Sequence, residues 1–465
     1  MTHYERLSAL DNSFLLLETD TAYTHVASTQ IFDAGPLRLE DGGIDFEAIK
    51  KAHAAIMHKI PRYRQVLKWI PMTDQPVWVD DPHFDLDFHL RHTSLPHPGS
   101  LRQLKRLSAR IMQQHLDRKR PMWETWVVEG LEGDRFAFIS KIHHCMVDGI
   151  SGVDIMQLLM STTPDAPLPT PPRYVPREAP SGGELLRDAL ARQLTMPVEA
   201  VRDFTKFTEE ASDWRREVQT RLRAVASTVG SFSAAAETPI NGPISPHRRF
   251  DWTTTAISDI KGIRKALGGS LNDVVLTIVT GAFRRFLDER GVRLDELEFQ
   301  VMTPVSVRSD SERGALGNRV SAWIFELPLA EPDPRKQLAA ITEKTTELKE
   351  TKQAIGADVL LQAAEFTPST LMSLGARNLS RMTPFNTVVT NVPGPQQPMY
   401  LLGSRLLEMY PHVPLVENIG LGIALVSYDG TMHWGINADR DLVPDLHQFV
   451  EDLESSLDEL RALAE

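Results

Sequence analysis

Residues 164–180, PDAPLPTPPRYVPREAP, place seven prolines in seventeen positions, and neither a helix nor a central strand can run through them. Each proline fixes φ and lacks the amide hydrogen that a ladder or helix needs, so the segment must lie extended. At 465 residues the chain also exceeds what one hydrophobic core usually supports. We therefore read residues 1–163 as a first lobe, 164–243 as a proline-rich linker with a helical connector, and 244–465 as a second lobe.

Both lobes mix the two periodicities. In the first, apolar alternation marks strands at 24–32, 76–79, 124–129 and 135–142, and three-to-four spacing marks helices at 46–58, 99–116 and 151–161. In the second, helices are predicted at 257–267, 271–290, 334–353 and 444–463, with strands at 299–307, 319–328, 385–391, 420–427 and 431–437. Asp429-Gly430 between the last two strands favours a tight hairpin turn. Residues 183–233 read as helix, either bridging both lobes or lying on a membrane surface. The expected class is α+β.

Composition removes several options. The formal net charge of -12 argues against a nucleic-acid partner, which needs a basic surface. A single cysteine, Cys145, rules out an internal disulfide. With the polar start MTHYERLSALDNSF, this leads us to expect a cytoplasmic protein. No apolar run approaches the roughly 18 residues of a membrane span, so any membrane contact should be peripheral.

The chemistry concentrates in residues 143–149, HHCMVDG. A strand over 135–142 leads into His143-His144, and Ser151 can cap a following helix, so the histidines stand at a strand-to-helix junction. A histidine titrating near neutrality suits removal of a proton from a hydroxyl attacking a carbonyl. A thioester carries its own good leaving group, so no covalent acyl-enzyme is required. The motif does not have metal-site spacing. Cys145 could be a thiol nucleophile, although a buried free cysteine ordinarily behaves as a small hydrophobe.

HHxxxDG at 143–149 resembles the signature of the bacterial wax ester synthase/diacylglycerol acyltransferase family, within the wider group of HxxxD acyltransferases. Pro121-Met122-Trp123, the segment NDVVL at 272–276, Glu417-Asn418-Ile419, Asn391-Val392-Pro393-Gly394-Pro395, and Leu10-Asp11 followed by Thr24-His25-Val26 are similar to further elements of that family. The resemblance implies two chloramphenicol-acetyltransferase-like lobes with a substrate channel between them. It implies a long-chain acyl transfer from acyl-coenzyme A to a long-chain alcohol or diacylglycerol, with no resident cofactor. It further implies His144 as general base, His143 as support, and Asp148 holding the turn by pairing with an arginine, for which Arg308 is the candidate. Asn272 is expected near the channel and Asp273 in a helix cap; Trp123, Gly149, Asn391 and Asn418 are expected around the substrates. The basic clusters Arg118-Lys119-Arg120 and Arg248-Arg249 are candidates for coenzyme A phosphates or for plain surface charge. The resemblance also implies a peripheral place on the inner membrane face or on lipid bodies. Rival readings are a condensation- or polyketide-type enzyme taking carrier-protein thioesters, and a non-catalytic lipid-binding scaffold.

Overall fold

The computed structural model describes residues 3–73, 75–146, 158–191, 235–306, 320–350 and 384–465. In chain order the first part contains β1 (Glu5–Arg6), α1 (Ala9–Leu17), β2 (His25–Asp33), α2 (Phe46–Ile56), β3 (Gln65–Trp69), β4 (Pro76–Asp80) and α3 (Leu86–His89). It continues with β5 (Leu90–Ser94), α4 (Leu101–Met112), β6 (Trp123–Leu131), β7 (Arg135–His143), a 3-10 turn His144–Met146, and α5 over residues 182–191. The second part contains β8 (Arg248–Ala256), α6 (Ile257–Leu267), α7 (Leu271–Asp288), β9 (Gln300–Ser306), β10 (Val320–Glu326), α8 (Pro334–Glu350) and β11 (Thr387–Pro393). It closes with β12 (Tyr400–Leu401), β13 (Ser404–His412), β14 (Leu421–Tyr428), β15 (Thr431–Asp439) and α9 (Leu446–Ala464).

Two six-stranded sheets carry the molecule, ordered β12-β13-β2-β7-β6-β5 and β10-β9-β11-β14-β15-β8. The first is covered on both faces. Alternation along β7 sends Phe136 and Phe138 to one side, against Phe32 and Ile49, and Ala137 and Ile139 to the other, against Leu104 and Ile111 of α4. That double burial is why β7 reads as an almost continuous apolar run. The second sheet packs beneath α7 and α9, whose Val275, Phe283, Phe286 and Phe449 fill its core. Asp429 and Gly430 both take positive φ, as the hairpin turn between β14 and β15 requires.

The two sheets are welded by a crossover. β13 pairs antiparallel with β2, so residues 400–412 lie within the second lobe in sequence but complete the first sheet in space. Where β13 passes over β15, Gly435 lies so close that a Cβ would stand 1.8 Å from the Pro411 carbonyl oxygen. Trp252 of β8 stacks on Tyr410 of β13 with centroids 4.5 Å apart, sealing the same seam.

The proline-rich segment is strapped to the first lobe. Arg177 grips Asp80 through two guanidinium hydrogen bonds of 2.9 and 2.8 Å, and the Tyr174 hydroxyl donates to the Asp81 carbonyl. Leu185 of α5 then packs on Ile70, Val77 and Val79 of the small sheet β1-β4-β3. Over residues 182–191 the connector therefore belongs to the first lobe rather than bridging both; the rest of the expected helix lies outside the described residues. No single described helix is long and apolar enough to cross a membrane.

Candidate active site

β7 ends at His143, and the chain turns at once into the 3-10 turn that holds His144. The two imidazoles thereby enter different surroundings. His143 is buried at 1% exposure and pairs across the sheet with His25 of β2. Its Nδ1 accepts the Cys145 backbone N–H at 3.2 Å, so its proton lies on Nε2. Nε2 faces the Glu18 carboxylate oxygen Oε1 at 3.1 Å and the Thr24 hydroxyl at 3.2 Å.

Glu18 caps the C-terminal end of α1. Its Oε1 also accepts the Thr24 N–H at 3.1 Å and lies 3.4 Å from His25 Nε2, while Oε2 pairs with Arg118 at 2.6 Å. Burial alone would raise this carboxyl. The hydrogen bond from His143, the two neighbouring imidazoles and Arg118 outweigh it and hold Glu18 well below the usual carboxylate range.

His144 is the more open of the pair. It is half-buried, and the Phe14 ring of α1 stacks on it with centroids 3.8 Å apart and planes 25° from parallel. Its backbone N–H donates to the Thr24 carbonyl at 2.9 Å, while its buried Nδ1 has no partner among the described residues. Loss of hydration lowers the imidazole to about 4, so the free base predominates at neutral pH. Beneath the turn, Cys145 and Met146 join a dry cluster with Leu15, Met122 and Trp123. Burial pushes the Cys145 thiol well above its ordinary value, and it packs here as a small hydrophobe.

The other candidates fall into several places. Trp123 is 2% exposed, donates its indole N–H to the Tyr63 carbonyl at 2.9 Å, and lies between the rings of Tyr63 and His89. Both of its faces are covered by protein, and it lies in the same buried cluster as Cys145 and Met146 under the histidine turn. Asp273 behaves as the sequence predicts. Ser270 and Asp273 form a reciprocal capping box on α7, and the Thr345 hydroxyl donates to Asp273 at 2.9 Å. Asn272, beside it, is half-buried and its amide makes no hydrogen bond among the described residues. Asn391 is half-buried on β11, paired in register with Leu425. Asn418 takes a φ of 64°, and its carbonyl accepts hydrogen bonds from Asn241 and Gly242, which gives it a role in fixing the connector's return. Asp148, Gly149 and Arg308 lie outside the described residues.

Two basic candidates for phosphate binding are already engaged. Arg118 pairs with Glu18 and donates to the Leu15 carbonyl. Arg248 is 7% exposed and donates to the carbonyls of Ser245, His247 and Thr21, so it joins the lobes instead of greeting an anion. Sequence reasoning missed Phe14 and Glu18 as parts of the site, and read Arg118 as a phosphate candidate or surface charge and not as the partner of Glu18. The signal was faint: a lone acid closing the apolar run FLLLE, four residues after Phe14.

Comparison with known proteins shows the family. The family model for the wax ester synthase/diacylglycerol acyltransferase catalytic domain matches residues 7–275, and that for the WS/DGAT C-terminal domain matches residues 316–461. A Mycobacterium tuberculosis protein provisionally named a diacylglycerol O-acyltransferase is 34% identical, covering 98% of this chain and 90% of its own. A second from that organism, named likewise, is 30% identical over 98% of this chain and 96% of its own. Among solved structures, the wax ester synthase/diacylglycerol acyltransferase of Marinobacter aquaeolei VT8 superposes with a TM-score of 0.68 at 25% identity, covering 99% of both chains. The starter condensation domain of rhizomide synthetase, at 13% identity and a TM-score of 0.58 over 99% of this chain and 94% of its own, shares the two-lobed fold. The chain belongs to the wax ester synthase/diacylglycerol acyltransferase family.

Proposed function

We propose that this acyltransferase moves a long-chain fatty acyl group from acyl-coenzyme A to a long-chain alcohol, giving a wax ester, or to diacylglycerol, giving triacylglycerol. His144 is the general base. The observation that carries this reading is the state of its imidazole: half-open, braced by Phe14, and held as the free base by its dry surroundings. The acceptor hydroxyl oxygen attacks the thioester carbonyl carbon while its proton passes to His144. Collapse of the tetrahedral intermediate expels the coenzyme A thiolate, which takes the proton back from the imidazolium. No resident cofactor takes part, and acyl-coenzyme A is a co-substrate. The Asn272 amide, which makes no hydrogen bond among the described residues, orients a substrate oxygen, and Asp148 would hold the turn by pairing with Arg308.

Because the base must be unprotonated, turnover rises with pH through the His144 titration and then levels off. Its depressed basicity puts that acid limb near pH 4 in the unliganded enzyme, well below the ordinary histidine range. The test mixes protein, palmitoyl-coenzyme A and either hexadecanol or diacylglycerol, and follows free thiol and chromatographed products. Acceptor-dependent thiol release with a matching ester is expected. None with either acceptor, across several acyl lengths, would leave only a lipid-binding scaffold.

The same reading places the protein in the cytoplasm, resting peripherally on the inner membrane face or on lipid bodies. Trp69 is 43% exposed and Met72, on the turn between β3 and β4, is 93% exposed, an apolar tip suited to a lipid surface. Replacing both with serine should reduce co-sedimentation with liposomes. Retention of the unaltered protein through an alkaline carbonate wash would contradict peripheral binding.

A further inference from the structure

Helix α1 touches both catalytic-turn histidines with side chains four residues apart, the spacing that puts them on one helix face. Phe14 lies against His144, and Glu18 meets His143. A carboxylate is a costly choice at this position. The C-terminal end of a helix disfavours negative charge, and a side chain only 6% exposed has lost most of its hydration. Arg118, the Thr24 amide and two imidazoles offset those costs.

We infer that Glu18 is a positioning residue: by holding the His143 proton on Nε2 it leaves Nδ1 to accept the Cys145 amide, and so fixes the turn that presents His144. The alternative tautomer would set an Nδ1–H against the Cys145 N–H at a separation of 3.2 Å, donor against donor, and the turn would open. Arg118 acts behind Glu18 as its counter-ion. The loop that follows Glu18 is also gripped by the second lobe. Thr19 donates to Glu417 at 3.4 Å, and Arg248 donates to the Thr21 carbonyl while its guanidinium lies over the Tyr23 ring. The carboxylate that orients the histidine pair is therefore registered against both lobes. The kinetic part of this inference rests on His144 being the base; the tautomer part does not.

The test uses the full-length enzyme with Glu18→Leu, Glu18→Gln and His144→Ala, and has three readouts: steady-state kinetics, thermal midpoint, and the ring-nitrogen NMR shifts of His143 in 15N-histidine-labelled protein. Glu18→Leu should lower kcat roughly 100-fold, with the KM for palmitoyl-coenzyme A within about threefold, as expected for losing part of a general-base contribution. The His143 proton should then divide between its two nitrogens. Glu18→Gln keeps a carbonyl oxygen for Nε2–H and should restore kcat to within about fivefold of wild type while retaining the tautomer. Unchanged kcat and unchanged His143 shifts in Glu18→Leu would overturn the inference. If Glu18→Leu does not fold, Glu18→Gln decides: a proton moved to Nδ1 with wild-type kcat overturns it. Should His144→Ala stay active, the base assignment fails, while the His143 shifts still report on Glu18.

Discussion

Two groups of buried histidines occur in this molecule, and they differ in what faces their nitrogens. At the end of β7, His143 has the Cys145 amide on one nitrogen and Glu18 on the other. On the seam between the sheets, His433 is 2% exposed with neither ring nitrogen partnered among the described residues. His412 nearby has, among the described residues, only the Thr29 hydroxyl at 3.1 Å and is stacked against Phe250. Burial depresses imidazole basicity in both regions, to about 4 for His144 and for His433 and to about 3 for His412. Dryness alone therefore does not set the β7 group apart. What distinguishes it is a carboxylate facing one ring and a turn that leaves the other half-open.

The sharpest break of this contrast is His144→Ala. Its kcat should fall by about 10²–10⁴-fold, the usual worth of a general base, with a thermal midpoint within about 3 °C of wild type. Next comes the same substitution in both regions. His143→Leu strands the Glu18 carboxylate and the Cys145 amide, and should cost roughly 3 kcal/mol in urea unfolding. His433→Leu replaces an unpartnered ring with a hydrocarbon and should change stability by no more than about 1 kcal/mol. Equal costs at both positions would erase the distinction.

A depressed imidazole also contributes a pH dependence to stability, and His433 shows the sign. In the folded chain His433 stays neutral down to about pH 4, whereas the unfolded chain takes up that proton near 6.5. Between those values the unfolded state binds more protons, so stability is full above pH 6.5 and is lost as pH falls towards 4. That loss is roughly 3 kcal/mol for His433, and His433→Leu should flatten this part of the stability curve. A wild-type slope in the variant would move the acid sensitivity elsewhere. Cys145→Ala should have the smallest effect, keeping kcat within about threefold, because its thiol packs as a hydrophobe. Abolished turnover there would return the thiol to the chemistry.

Legibility followed locality. Helix 257–267 is read from the sequence with the bounds that the structure gives, because its apolar spacing and the following Gly268-Gly269 are local signals. β7, β14 and β15 were equally plain, since both faces of their sheets are covered and the runs are apolar. α1 was missed. Nine residues, ALDNSFLLL, are too few for periodicity to separate helix from strand, yet this element carries Phe14 and ends on Glu18. Arg248 was misread because a basic pair looks alike in sequence whether it meets solvent or three buried carbonyls. Trp123 is legible as a strand residue, but only packing reveals that Tyr63 and His89 cover its ring.

By itself, the sequence determined the α+β class, an extended proline-rich segment, the family, and the strand-end histidine pair. Those follow from steric limits on proline, from side-chain periodicity and from motif chemistry, all of which act within a few residues. Tertiary structure alone decided that residues 400–412 complete the first sheet, and that a glutamate more than a hundred residues upstream orients His143. The reason is physical. A hydrogen bond between distant segments depends on where the folded chain brings them, and the composition of either segment carries no record of its partner.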